Sequence, residues 1–150
     1  MRQRIFVAIA LLTTFLPASA FAQAAGGGDA ILGTWKANEK VLTIEVYKQG
    51  QEYHARIVSF TDHHNGLPAA QRTDDKNPDP ALRSRKLIGT DVLSGLKYSS
   101  GSKSWTGGKI YNAGSGSTYS ANVELVNPGK LSVRAYKGVS LIGKTLTFHR

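Results

Sequence analysis

The chain has 150 residues; the first 22 read as an address, and the remainder suits one domain that buries roughly two-thirds of its unfolded surface. It has no cysteine, which excludes disulfide staples, thiolate metal sites and a cysteine nucleophile together. From residue 23 onward 17 basic residues face 10 acidic ones, and the excess gathers over 87–150, where 8 oppose 2. Such a basic half implies an anionic neighbour; outside the cytoplasm that means acidic head groups or glycans rather than nucleic acid, for which no motif is present.

In chain order, Met1-Arg2-Gln3-Arg4 is a basic start, Ile5 to Leu16 is apolar, and Ala18-Ser19-Ala20 and Ala20-Phe21-Ala22 are small-residue cleavage signals. This pattern predicts a signal peptide over 1–22, cut after Ala22 to leave Gln23 first. An apolar run of about 12 residues is too short for a ~30 Å hydrocarbon core. The expected protein is therefore exported and does not span the membrane. It resides in the periplasm or is released beyond it. Ala24 to Asp29 (AAGGGD) reads as a flexible tether over 23–30, ahead of a folded domain at 31–150.

Gly33-Thr34-Trp35 opens the first strand, and G-x-W in that place marks lipocalin-like barrels. Leu42, Ile44 and Val46 alternate with polar residues, as do Tyr53, Ala55 and Ile57 beyond the Gln49-Gly50 turn. Residues 61–86 are too long for a hairpin loop. Within them Asp79 before Pro80 predicts a cap and a short helix over Pro80 to Arg85, a lid at a barrel mouth. Weaker strands follow near 86–91, 94–99 and 105–111. Tyr119 to Leu125 and Leu131 to Ala135 flank the Asn127-Pro128-Gly129-Lys130 turn, and Leu146 with Phe148 closes the chain. The fold class expected is all-β, a single antiparallel up-and-down barrel. The readable strands fall short of the ~9–11 residues of a membrane barrel. Barrel closure would bring the first strand beside the last and lay Arg150 over Trp35, so Gly33, Trp35 and Arg150 are expected to form a structural plug.

Several motifs fail their context. Gly138 to Thr145 matches the phosphate-loop pattern letter for letter, but Leu146-Thr147-Phe148-His149 alternates as a strand where a helix is required. Ser94-x-x-Lys97 and Ser100-x-x-Lys103 lie in strand or turn sequence, without the companion boxes of penicillin-binding enzymes. Asp75-x-Asn77-x-Asp79 begins like a calcium loop, yet Pro80 stands where glycine must turn and Lys86 replaces the bidentate glutamate. Turn and capping chemistry explains the same letters. Asp62-His63-His64 suits metal or acid–base work, but adjacent histidines in an extended segment point opposite ways.

Gly33-Thr34-Trp35, the stretch Lys76 to Arg85 ahead of Leu87-Ile88-Gly89, Trp105-x-Gly107-Gly108-x-Ile110-Tyr111 and the closing Gly143 to Arg150 occur together in this order. Over residues 31–150 the chain resembles a family of small exported bacterial proteins, the domain of unknown function numbered 2147. The resemblance implies a lipocalin-like, calycin-type barrel and brings no activity, cofactor or catalytic residue. Two positions depart: Asn112-Ala113 stands where Asp-Pro is expected, and Phe148 where Trp is expected. These bear on the turn after Tyr111 and on the packing of the last strand.

The function expected is a non-catalytic binding module for a small amphipathic or lipid-like ligand, with no cofactor and no metal. Tyrosine-rich, phenylalanine-poor strands fit a cavity with polar handles. The candidate ligand residues are Tyr53, Ile57, Tyr111 and Tyr119 from strands, with Asn77, Asp79, Arg83 and Arg85 from the long loop. An alternative is a filled barrel whose basic face holds an anionic envelope surface. A second is a hydrolase built on Asp62, His63 and the loop carboxylates.

Overall fold

Period-2 alternation turns each segment into a strand with one apolar face, and eight such strands close on themselves. The computed structural model describes residues 26–37, 42–61 and 67–150. The strands are β1 (Gly33–Ala37), β2 (Leu42–Gln49), β3 (Glu52–Phe60), β4 (Asp91–Ser99), β5 (Ser104–Asn112), β6 (Ser117–Asn127), β7 (Lys130–Tyr136) and β8 (Gly143–His149). They form a closed antiparallel barrel in sequence order. Among the described residues, β1 and β8 close the barrel through Lys36 paired with His149 and Ala37 with Phe148. Register shifts in β2, β3, β5 and β6 bend the strands as closure requires.

Inward positions fill the lower half of the barrel: Trp35, Leu96, Trp105, Val123 and Leu131 are buried almost completely. Phe148 is buried with them, so phenylalanine fills the last-strand position. The turn after Tyr111 is built without proline. Asn112 Oδ1 accepts from the Gly114 amide at 3.0 Å, and the Asn112 carbonyl accepts from the amides of Ser115 and Gly116.

Four expectations change. Of the weak strands near 86–91 and 94–99 only one forms, β4 (Asp91–Ser99); Lys86 only bridges Thr73, and residues 87–90 turn back against the Ile57 backbone. The helix foreseen over Pro80–Arg85 is a single 3-10 turn, Pro80–Leu82, which Asp79 caps by accepting from the Ala81 amide at 2.9 Å. The tether foreseen over 23–30 does not extend to residue 30, because Gly27–Ile31 forms a 3-10 turn that buries Ile31. Residues 1–25, and with them the signal peptide and the rest of the tether, lie outside the described residues, as do Asp62 and His63. Strand length does not separate this barrel from a membrane one, since β3, β4 and β5 have 9 residues and β6 has 11. The outward faces carry charge: Arg56, Lys97, Lys109 and Glu124 are exposed on them, unlike a lipid-facing apolar band.

Candidate functional site

The up-and-down order gives the barrel two unlike ends. One is sealed. The Gly27–Ile31 turn folds under it, and the indoles of Trp35 and Trp105 donate to the carbonyls of Ile31 (2.8 Å) and Gly28 (3.0 Å). The Arg150 guanidinium lies over the Trp35 ring, 4.0 Å from its centroid, and donates to the carbonyls of Pro128, Leu32 and Ala30. Gly33 takes φ +108°, a conformation open to glycine, where the chain passes from this plug into β1. Tyr53 belongs to this end. It is buried, meets Trp105 edge-on and donates to Asp29 at 2.6 Å. It therefore lines a smaller recess at this end, with Asp29, Lys48 and Tyr98, and not the main cavity.

The other end is open. A cavity of about 1510 Å³ enters the barrel there, walled by Leu42, Ile44, Ile57, Leu93, Ile110, Val133, Ala135 and Leu146. Tyr111, Tyr119 and Tyr136 place phenols in the wall, while Arg72, Lys76, Lys137 and Lys144 stand among its lining residues with Asp75. Of the expected ligand residues, the cavity brings together Ile57, Tyr111 and Tyr119.

The other four lie in the long β3–β4 connection and are engaged in its own structure. Asp74 is fully buried there and accepts from Tyr111 Oη (2.5 Å), Asn77 Nδ2 (2.7 Å) and Arg85 Nε (3.0 Å), with Arg85 Nη2 at 2.8 Å. Arg83 donates to the Asn77 carbonyl at 2.8 Å, and the Asn77 side chain accepts from the Asp79 amide. Asn77, Asp79, Arg83 and Arg85 thus form a strap pinned to β5, and none of them lines the cavity. The physical reason is the buried carboxylate: without cationic and hydroxyl donors its burial costs several kcal/mol, on the order of 3 or more. Gly116 completes the attachment at φ +70°, where a Cβ would collide with the Lys76 carbonyl.

These contacts set the electrostatics. Burial pushes the Asp74 carboxyl up, but the hydrogen bonds from Tyr111, Asn77 and Arg85 outweigh it and hold the group below the usual carboxylate range. Burial, then the bond to Asp74, pushes the Tyr111 phenol up to about 12. Both groups are fixed in one protonation state at neutral pH, which suits anchoring rather than proton transfer.

Sequence reasoning missed the cationic lining. Topology could have found it, because in an up-and-down barrel the β3–β4, β5–β6 and β7–β8 connections all emerge at one end. Arg72, Lys76, Lys137 and Lys144 are borne on or beside two of them. Among the described residues, no group of three or more His, Cys, Asp or Glu is placed to hold a metal ion.

A solved structure of a Helicobacter pylori protein, HP1028, described as belonging to the lipocalin family, superposes with a TM-score of 0.68 and 30% identity, over 80% of this chain and 82% of that one. No match was found among curated protein sequences. A family model described as "Uncharacterized protein conserved in bacteria (DUF2147)" matches residues 33–150, from the G-x-W that enters β1 to the arginine that seals it. With its closed eight-stranded barrel and plug alongside that match, the chain belongs to the DUF2147 family and has a lipocalin-like fold.

Proposed function

We propose that the protein is an exported carrier or receptor for one amphipathic molecule with an apolar tail and an acidic or strongly polar head. The observation that carries this reading is the open cavity of about 1510 Å³ with apolar walls and cations among its lining residues. Its size exceeds the roughly 300–1,000 Å³ of sites for drug-sized ligands and suits a long chain. An acyl-like tail would displace water from Ile44, Ile57, Ile110 and Val133 at about 25 cal/mol per Å². Lys137, Lys144, Arg72 and Lys76 would meet the head group, with charge-assisted bonds at the water boundary. The open volume argues against the filled-barrel alternative. The hydrolase alternative rests on Asp62, His63 and the loop carboxylates: Asp62 and His63 lie outside the described residues, Asp74 and Asp79 are engaged in the strap, and Asp75 lines the cavity.

Export follows from the basic start, apolar run and Ala-x-Ala site of residues 1–22. An intact mass that starts at Gln23 in protein recovered from the periplasm is the expected result; a persisting full-length species would overturn it.

The binding test pairs a fluorescent fatty-acid analogue with Ala135→Trp. Ala135 faces the cavity from β7, so an indole there occupies the space a tail needs. Wild type should take up the analogue and release it to unlabelled competitor, while the variant folds and binds at least tenfold more weakly, as expected when overfilling blocks an apolar site. Equal binding by both proteins, or none by wild type freed of lipid, refutes the reading.

A further inference from the structure

The β7–β8 connection carries the most exposed apolar side chains among the described residues. Leu141 is 88% exposed, Ile142 72% and Val139 58%. Exposed apolar groups gathered in this way mark interaction sites. These are not collapsed onto the barrel, and the cause is visible. Arg134 reaches from β7 and donates to the carbonyls of Ser140 and Leu141 and to Thr145 Oγ1, each at 3.0 Å. The Ile142 amide closes the turn on the Val139 carbonyl at 3.1 Å. One guanidinium thus braces the backbone of a tip whose side chains point to solvent.

The chain around the tip carries one sign of charge, and Asp75 is the one acid among the cavity-lining residues. Lys137 and Lys144 flank the tip, Arg134 supports it, and no acidic side chain follows Glu124 in the chain. Lys137, Ile142 and Lys144 also line the cavity, so the tip stands at the barrel's open end. A convex apolar tip with cations at its base fits an interfacial lipid layer, which takes apolar groups into the acyl boundary and holds cations at anionic head groups. A protein partner fits less well. A stable interface needs about 800 Å² per side, far beyond what three loop side chains supply.

We propose that the Gly138–Gly143 tip docks the protein on an anionic bilayer, with Val139, Leu141 and Ile142 entering the acyl boundary and Lys137 and Lys144 at the phosphates. The cavity mouth then faces the membrane. The match of these residues to a phosphate-loop pattern is accidental: Val139–Ile142 form a turn and Gly143 begins β8, so no helix follows the lysine. The inference stands apart from the cavity reading, because docking is measured on vesicles whether or not the cavity takes a ligand.

The probe is phosphatidylcholine vesicles with and without phosphatidylglycerol. Wild type should sediment with the anionic vesicles, and binding should weaken with added salt, about fivefold for each cation engaged. Leu141→Ser should weaken partitioning roughly tenfold, as expected for one leucine-sized group kept out of the acyl boundary. Val126→Ser, an equally simple change at the sealed end where Val126 is 56% exposed, should leave it unchanged. Leu141→Trp should keep binding and shift its emission to the blue only with anionic vesicles, against the constant background of the buried Trp35 and Trp105. Vesicle binding that ignores Leu141→Ser, or no emission shift, overturns the proposal. So does a salt-independent dimer that Leu141→Ser dissolves, which would make the tip an interface between copies of the chain.

Discussion

Tyr111→Phe isolates the strap's attachment from the rest of the barrel. The ring stays in place, and only the hydroxyl that donates to Asp74 at 2.5 Å is lost. A short bond to a buried carboxylate is among the stronger kind, and removing its donor costs about 1.5–3 kcal/mol. Asn77 and Arg85 still hold the carboxylate, so the lower part of that range applies, and the melting temperature should drop by about 5–10 °C for a domain of this size. Trypsin should then cut the strap after Arg83 or Arg85 faster than in wild type. The pH dependence adds a sign. The phenol's folded pKa is raised to about 12, so its contribution is whole below the ordinary value near 10 and is lost as pH rises toward 12. Asp74 is held low, so its contribution is whole above the ordinary carboxylate range and is lost as pH falls through the depressed value. Melts across pH should show both losses in wild type and the alkaline one weakened in Tyr111→Phe. Tyr119→Phe, on the facing strand, controls for loss of a phenol. If Tyr111→Phe melts and resists trypsin like wild type, the hydroxyl does not hold the strap, and the anchoring argument fails.

Other perturbations follow the same geometry. Arg150→Ala removes the stacking on Trp35 and three bonds to carbonyls, and should cost about 1–3 kcal/mol in denaturant melts while uptake of a fatty-acid analogue is unchanged. Trp35→Ala, at the centre of the same plug, should cost ~3–5 kcal/mol or abolish folding. Gly116→Ala forces a side chain into φ +70° against the Lys76 carbonyl, and should cost about 1–3 kcal/mol and raise amide exchange in the strap before the barrel. Asp79→Ala should cost ~0.5–2 kcal/mol through the lost cap on Pro80–Leu82, read as a lower denaturant midpoint with an unchanged slope.

The barrel was legible because its signals are local. Alternation in Leu42–Val46 and Tyr119–Leu125, and turn chemistry at Asn127–Lys130, place strands without knowledge of their partners. The long connection was legible only as an interruption. Asp79 before Pro80 announces its own cap two residues on, but nothing near Asp74 announces Tyr111, 37 residues away. Arg85 reads as a solvent-facing cation for the same reason: its pairing shows only when the carboxylate it neutralises is known to be inside. Arg83 is exposed, and only its bond to the Asn77 carbonyl goes unannounced. The Gly-rich segment before residue 31 reads as a tether, yet Gly28 lies against the ring of Tyr98 and its carbonyl accepts from Trp105. Its lack of side chains is what lets the backbone pass beneath the barrel.

Parity divides the work between the two ends. In an up-and-down barrel the connections after odd-numbered strands share one rim, so the longest of them, β3–β4, and β7–β8, the most exposed apolar one among the described residues, emerge together. The connections after even-numbered strands and both ends of the domain lie at the other rim, where Arg150 and the Gly27–Ile31 turn seal it. An opening at the first rim leaves the plug intact, because the indoles of Trp35 and Trp105 and the Arg150 guanidinium bond to backbone carbonyls of the sealed end. The strap is the one element that joins rim to stability: it borders an open cavity, yet hangs on a buried carboxylate. Variants at the plug should therefore change melting and spare binding, and variants such as Ala135→Trp should do the reverse. Asp74, Tyr111 and Arg85, which anchor the strap beside the mouth, should move both.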